Sequence, residues 1–100
     1  MKLKVPKNKI ASFCRRNKIK RLSLFGSVLR EDFGPNSDID VLVEFEPGAR
    51  VGFFELFDME TELSDLFEGR KVDINTPNSI SRYFRDEIIK EARTQYNDRA

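Results

Sequence analysis

The sequence predicts an α+β fold of two layers (α/β two-layer), a small mixed sheet of about three strands with helices mainly on one face. Three observations carry this prediction. The segments RLSLF at 21–25, IDVLVEF at 39–45 and KVDIN at 71–75 alternate apolar and polar residues, the period of a half-buried strand. Residues 8–18, 52–68 and 79–93 instead space their apolar residues by three and four, as helices packed along one face do. At 100 residues the chain supports one hydrophobic core, so residues 1–100 are expected to form a single domain.

Each element has its own signals. In the first helix Ile10, Phe13 and Cys14 share a face, and the helix ends near Asn17. Strand 21–25 stops at Gly26; Ser27 to Arg30 follow as one helical turn, broken by Gly34-Pro35-Asn36. Ile39, Val41, Val43 and Phe45 fall on one side of the second strand, which Pro47-Gly48 closes. The long helix places Phe53, Leu56, Phe57, Leu63 and Phe67 on its stripe, Phe54 beside it, and Glu55, Asp58, Glu62 and Asp65 on other faces, with Gly69 as its stop. Phe53 and Phe57 are therefore expected in the core. Val72 and Ile74 share a side of the third strand, which ends at Thr76-Pro77. The last helix, from about Ser79 to Arg93, is expected to bury Ile80, Phe84, Ile88 and Ala92, and the tail QYNDRA to fray.

Composition narrows the chemistry. Hydrophobic content of 39% beside charged content of 35% fits a globular protein rather than a disordered or membrane chain. With a net charge of +1 there is no general pull toward nucleic acid, and direct nucleic-acid binding is not expected. The local basic run Arg15, Arg16, Lys18, Lys20 and Arg21 is either a solvated helix end or a surface for phosphates or an acidic partner. The stretch MKLKVPKNKIASFCRRNK lacks the apolar core of a signal peptide, and no apolar run reaches spanning length. A cytoplasmic protein with no membrane partner is expected. The single cysteine, Cys14, excludes an internal disulfide and fits a small buried hydrophobe. Without histidine, His-based triads and the common nitrogen and sulfur metal sites are closed to this chain. Its chemistry has to run on carboxylates, hydroxyls, amides and cations.

The stretch LFGSVLREDFGPNSDIDVLVEF at 24–45 brings such groups together. Asp38 and Asp40 point to the side of their strand that faces away from Ile39 and Val41, and Asp73 stands opposed to Val72 and Ile74 in the same way. If both strands bury their β-branched sides under the same helices, three carboxylates converge on the open face. Such a group is stable only when partly protonated or when a cation sits among its members. All-oxygen ligation favours Mg²⁺ or Mn²⁺. Two ions about 3.5–4 Å apart, sharing carboxylates, suit phosphoryl-type transfer on a phosphate ester or nucleotide. Gly26 permits close backbone approach, and the amides after it, with the Ser27 hydroxyl, make a small anion site. A Gly-Ser turn or an Asp-x-Asp pair alone is more often an ordinary turn or a solvated loop; their combination with Asp73 favours a site.

As a whole, this stretch resembles the signature of the DNA polymerase beta-like nucleotidyltransferase superfamily, in which a Gly-Ser turn precedes an Asp-x-Asp strand and a later strand gives a third Asp, here Lys71-Val72-Asp73-Ile74. The short chain, Arg30, Asp32 and Ser37-Asp38-Ile39-Asp40 look most like the minimal nucleotidyltransferases, the MNT antitoxins of prokaryotic HEPN-MNT toxin-antitoxin pairs. The resemblance spans residues 22 to 75 and implies the nucleotidyltransferase fold. It further implies that Gly26 and Ser27 bind the triphosphate, that Asp38 and Asp40 hold two Mg²⁺ ions, and that Asp73 completes the ion nearest the nucleophile and can act as general base. The implied reaction moves a nucleoside monophosphate, AMP from ATP, to a hydroxyl, typically a tyrosine of a HEPN ribonuclease toxin. Arg30 and, more weakly, Arg50 are candidate triphosphate contacts. Glu31 departs from the pattern, standing where such proteins commonly have Gly and adding negative charge near the expected phosphates. A second reading is a non-catalytic antitoxin that neutralises its partner by complex formation alone.

Overall fold

The computed structural model describes residues 3–98. In chain order these form α1 (Lys7–Arg16), β1 (Ile19–Phe25), a 3₁₀ turn (Gly26–Leu29), β2 (Ile39–Phe45), α2 (Phe53–Leu66), β3 (Val72–Asn75), a second 3₁₀ turn (Pro77–Ser79), α3 (Arg82–Glu91) and β4 (Arg93–Asn97). The strands make one mixed sheet in the order β3-β2-β1-β4. β1 runs antiparallel to β2 and β4, while β2 and β3 are parallel. A parallel neighbour needs a crossover, and α2 supplies it.

Alternation in the strands decides which face is apolar. Leu22 pairs with Val43, Leu24 with Val41 and Ile39 with Val72, and all six side chains are buried. Onto this face α1 packs Ile10, Phe13 and Cys14, and α2 with its C-cap packs Met59, Leu63 and Phe67. Burial pushes the Cys14 thiol up to about 12, against a small opposing effect of Arg15, so this cysteine is the inert apolar group expected of it. On the opposite face Leu42 and Ile80 are buried outside this cluster. At the β3 edge the Ile74 N–H donates to the Glu60 carboxylate of α2 at 2.8 Å, which covers one unpaired strand group.

Several expectations are corrected. The sheet has four strands, and much of the tail expected to fray is β4, in which Tyr96 pairs with Leu22 and Arg93 with Leu24. Arg-Thr-Gln-Tyr-Asn carries almost no apolar signal; the free main-chain edge of β1 recruits it. Arg99 and Ala100, the rest of that tail, lie outside the described residues. The last helix is shorter than the predicted 79–93, because Pro77 opens a 3₁₀ turn and Ser81 caps the helix by accepting from the Tyr83 N–H at 3.4 Å. None of its residues is buried: of the expected stripe only Ile80, which precedes the helix, is buried, and Phe84 is 59% exposed. In α2 the stripe begins late. Phe53 and Phe57, expected in the core, are 81% and 61% exposed, and Phe54 is as open as Phe53. Helical spacing is satisfied, but the first turns of α2 overhang the core, and full burial starts only at Met59.

This corrected stripe can be checked by urea unfolding. Leu63→Ala is expected to cost about 2–5 kcal/mol through cavity formation, whereas Phe53→Ala is expected to stay within about 0.5 kcal/mol of wild type. Equal losses at the two positions would place Phe53 in the core after all.

Candidate active site

β2 sends Ile39, Val41 and Val43 into the core and thereby turns Asp40 to the other face. There Asp40 lies between Phe25 of β1 and Asp73 of β3 in the register of the sheet. Asp38 stands just before β2, whose first residue, Ile39, donates its N–H to the Lys71 carbonyl at 2.9 Å. The strand starts that carry Asp38 and Asp73 are thus joined by main-chain bonding.

The Gly-Ser turn packs onto these aspartates. Gly26 has φ +72°, and a Cβ there would stand 2.4 Å from Asp40 Oδ2, so both conformation and space demand glycine. The Ser27 hydroxyl donates to the Asp38 carbonyl at 2.9 Å, and the Ser27 backbone favours the ionised form of the Asp40 carboxylate. The turn and the acid strand are therefore one piece.

Electrostatics mark Asp40 as the centre. Burial pushes its carboxyl above the ordinary range; the charges of Asp73 and then Asp38 push it further, and the Ser27 backbone and Arg30 only partly oppose them. Lys71 Nζ lies 3.8 Å from Asp38 Oδ2, where an ammonium serves as a local counter-charge. Among the described residues, no group of three acid side chains closes tightly enough to hold a metal ion by protein ligands alone. The expected convergence of Asp38, Asp40 and Asp73 is thus present as a shared face and field, and absent as a closed cage. Uncompensated like charges keep such groups apart. The donor set fits Mg²⁺ nonetheless, since that ion is ordinarily held by one or two carboxylates together with water and substrate phosphates.

Arg30 closes the 3₁₀ turn beside the aspartates, its Nε 3.6 Å from Asp32 Oδ1 and its charge felt at Asp40. Arg50 is not part of this arrangement. It follows the far end of β2 and lines a cavity with Lys18, Ala49 and Asp58. Glu31 is exposed in the loop after Arg30. In the basic run, Arg16 pairs with Glu62 at 2.5 Å and Arg21 with Glu44 at 3.8 Å, so part of that run is answered by acids of this same chain.

Two neighbours of the site were missed from sequence. Lys71 was legible, since strand alternation puts it on the side of Asp73. Arg70, which reaches the loop before Asp38, had no periodic signal, following as it does the helix stop at Gly69.

Comparison with known proteins identifies the family. Residues 8–99 match the family described as polymerase beta, nucleotidyltransferase. The chain is 38% identical over 86 residues to "Putative protein adenylyltransferase MJ0435" of Methanocaldococcus jannaschii, covering 86% of this chain and 89% of that protein. A solved structure described as a "putative minimal nucleotidyltransferase" superposes with a TM-score of 0.70 at 30% identity, covering 86% of this chain and 85% of the other. Two toxin-antitoxin complexes share the fold. One, with AMP-PNP, has a TM-score of 0.74 at 22% identity over 95% of this chain and 76% of the other. The second, a tri-AMPylated Shewanella oneidensis HEPN toxin with MNT antitoxin, has a TM-score of 0.64 at 22% identity over 91% and 69%. A Gly-Ser turn locked to an Asp-x-Asp strand, a third aspartate beside it and a family match over nearly the whole chain lead to one assignment: this chain belongs to the polymerase beta nucleotidyltransferase family.

Proposed function

We propose that this chain transfers AMP from ATP to a tyrosine hydroxyl of a HEPN-type ribonuclease toxin and so acts as its cytoplasmic antitoxin, residues 1–100 working as one minimal domain. The observation that carries the reading is Asp40, set against the Gly26–Ser27 turn and opposite Asp73 on a single open face. The adenylyltransferase name of the M. jannaschii relative and the AMPylated toxin in the related complex support the chemistry and the partner. Neither nucleic acid nor membrane enters the proposal; among the described residues no helix is long and apolar enough to cross a membrane.

Gly26 and Ser27 hold the triphosphate through the amides that open the 3₁₀ turn, and Arg30 adds charge from the end of that turn. Asp38 and Asp40 would hold the divalent cations, with Asp73 joining them on the side of the acceptor. Mg²⁺, as two ions or with Mn²⁺ in its place, supplies neutralisation of phosphate charge and a more acidic acceptor hydroxyl when bound there. The acceptor oxygen attacks the α-phosphorus and forms the new O–P bond as the bond to the pyrophosphate oxygen breaks. Asp73 takes the hydroxyl proton in this reading. Because the Ser27 hydroxyl is bonded to the Asp38 carbonyl and Gly26 packs against Asp40, the phosphate-binding turn and the acid groups keep their spacing through the reaction.

One observation favours the second reading, a binding antitoxin without catalysis. Phe53, Phe54 and Phe57 form an exposed aromatic patch at the start of α2, the kind of surface a partner covers. The two readings separate in one experiment. With labelled ATP, Mg²⁺ and the toxin encoded beside it, the wild-type protein is expected to label the toxin, and Asp38→Asn/Asp40→Asn to stay folded yet neither label nor neutralise. Full neutralisation by the double variant would establish the binding reading instead.

Gly26→Ala places a methyl group against Asp40 Oδ2 at a left-handed position. It is expected to lower the transfer rate by about 10²-fold, with destabilisation of about 1 kcal/mol or more; unchanged single-turnover labelling would contradict the proposed close approach.

Asp40 also predicts a pH dependence. Its folded carboxyl titrates above the unfolded value. The stability it contributes is therefore fully present below the unfolded pKa of about 3.9, and is lost as pH rises through the folded value. In the free protein without divalent cations, Asp40→Asn is expected to melt higher than wild type at pH 7, by an increment that shrinks toward pH 4. Thermal denaturation followed by circular dichroism measures this increment, and one independent of pH would contradict the assigned cause.

A further inference from the structure

We infer that Arg70 is a positioning residue that fixes the loop delivering Asp38 to the site. The residues between the first 3₁₀ turn and β2 form no helix or strand, yet they must place Asp38 beside Asp40. Part of the loop is held locally: the Ser37 N–H donates to the Gly34 carbonyl at 3.1 Å, and the Gly34 N–H to Ser37 Oγ at 3.1 Å. The rest comes from Arg70. Its Nη2 donates to the Gly34 carbonyl and, at 3.3 Å, to the Ser37 carbonyl, the residue directly before Asp38. Its guanidinium carbon stacks 4.3 Å from the centre of the Phe33 ring, which is itself buried in the core. The Arg70 Nε is buried with no hydrogen-bond partner among the described residues, so the guanidinium makes this clamp at the cost of one donor.

Arg70 is anchored from behind. Glu68 and Gly69 both adopt positive φ, 62° and 83°, and the Gly69 N–H returns to the Ser64 carbonyl at 2.8 Å, which ends α2 in a fixed direction. The Ser64 hydroxyl then donates to the Arg70 carbonyl at 2.7 Å. The next residue, Lys71, accepts from Ile39 and pairs with Asp38, and Asp73 follows in β3. One side chain thus ties the end of α2 to the loop before Asp38 at the point where both acid-bearing strands begin. A planar fork that stacks and donates at once is a property of arginine that lysine lacks.

The inference rests on the nucleotidyl-transfer reading for its activity readout and stands on the free protein for the others. The test compares wild type, Arg70→Met and Arg70→Lys by amide hydrogen exchange, by Mn²⁺ binding followed by electron paramagnetic resonance, and by transfer kinetics. Exchange at 33–38 is expected to quicken in both variants while α1, β1 and α2 keep wild-type protection. Mn²⁺ affinity is expected to fall by about 10–100-fold in Arg70→Met, and the rate at saturating ATP to fall with it, Arg70→Lys recovering only part of each. Wild-type exchange at 33–38 with unchanged Mn²⁺ affinity in Arg70→Met would overturn the inference. So would faster exchange spread evenly over the whole protein in both variants, which would make Arg70 a residue of general stability. If wild type itself transfers nothing to any toxin tested, the proposed function fails, while exchange and Mn²⁺ binding still decide the role of Arg70.

Discussion

The half-burial of Asp40 in the field of Asp73 and Asp38 is the constraint on which the rest of the site depends. It exists because β2 cannot present an apolar face without presenting a second face, and the second face carries the acids. The apolar side is what makes the repulsion tolerable: Ile39, Val41 and Val43 are fully buried under α1 and α2 and hold the strand in place. Around the acids the chain has placed groups that moderate the field without removing it. The Ser27 backbone and Arg30 favour the ionised form of Asp40, and Lys71 answers Asp38. In the proposed function a divalent cation and the substrate phosphates would complete this field.

The reach of sequence reasoning follows from this arrangement. The shared face of Asp40 and Asp73 was legible because strand alternation is a strict two-residue rule, and β2 and β3 align the two in register, whereas Asp38 lies in the loop just before β2. Gly26 was legible as a close approach, although the atom it approaches, Asp40 Oδ2, could only be seen in three dimensions. β4 was not legible, because edge pairing is made by main-chain groups and Arg93–Asn97 has little side-chain pattern. Helical periodicity over-called the core at Phe53, Phe57 and Phe84: the period names a face, and only the extent of the neighbouring layer says how much of that face is covered. Arg70 escaped for another reason. Its partners are carbonyl oxygens more than thirty residues away, and a carbonyl has no residue type to read.

The fold also separates two surfaces. The aspartates lie where β2 begins, and the exposed phenylalanines lie where α2 begins, after the loop that leaves the other end of β2. An acceptor side chain entering at the acid end approaches a polar face built from Gly26, Ser27, Arg30 and Lys71. A partner covering Phe53, Phe54 and Phe57 meets an aromatic surface interleaved with Glu55 and Asp58. In the proposed function, catalysis and complex formation would therefore use different parts of this small molecule.

In the proposed function Asp38 and Asp40 hold a divalent cation against the phosphates of a nucleotide seated on the Gly26–Ser27 turn. Diffraction from crystals grown with a non-hydrolysable ATP analogue and Mn²⁺, recorded for anomalous scattering of manganese, tests it most directly. An anomalous peak is expected at bonding distance from both carboxylates, with the β- and γ-phosphates at the amides after Gly26. Nucleotide bound elsewhere, or manganese absent from Asp38 and Asp40 with nucleotide in place, would contradict it.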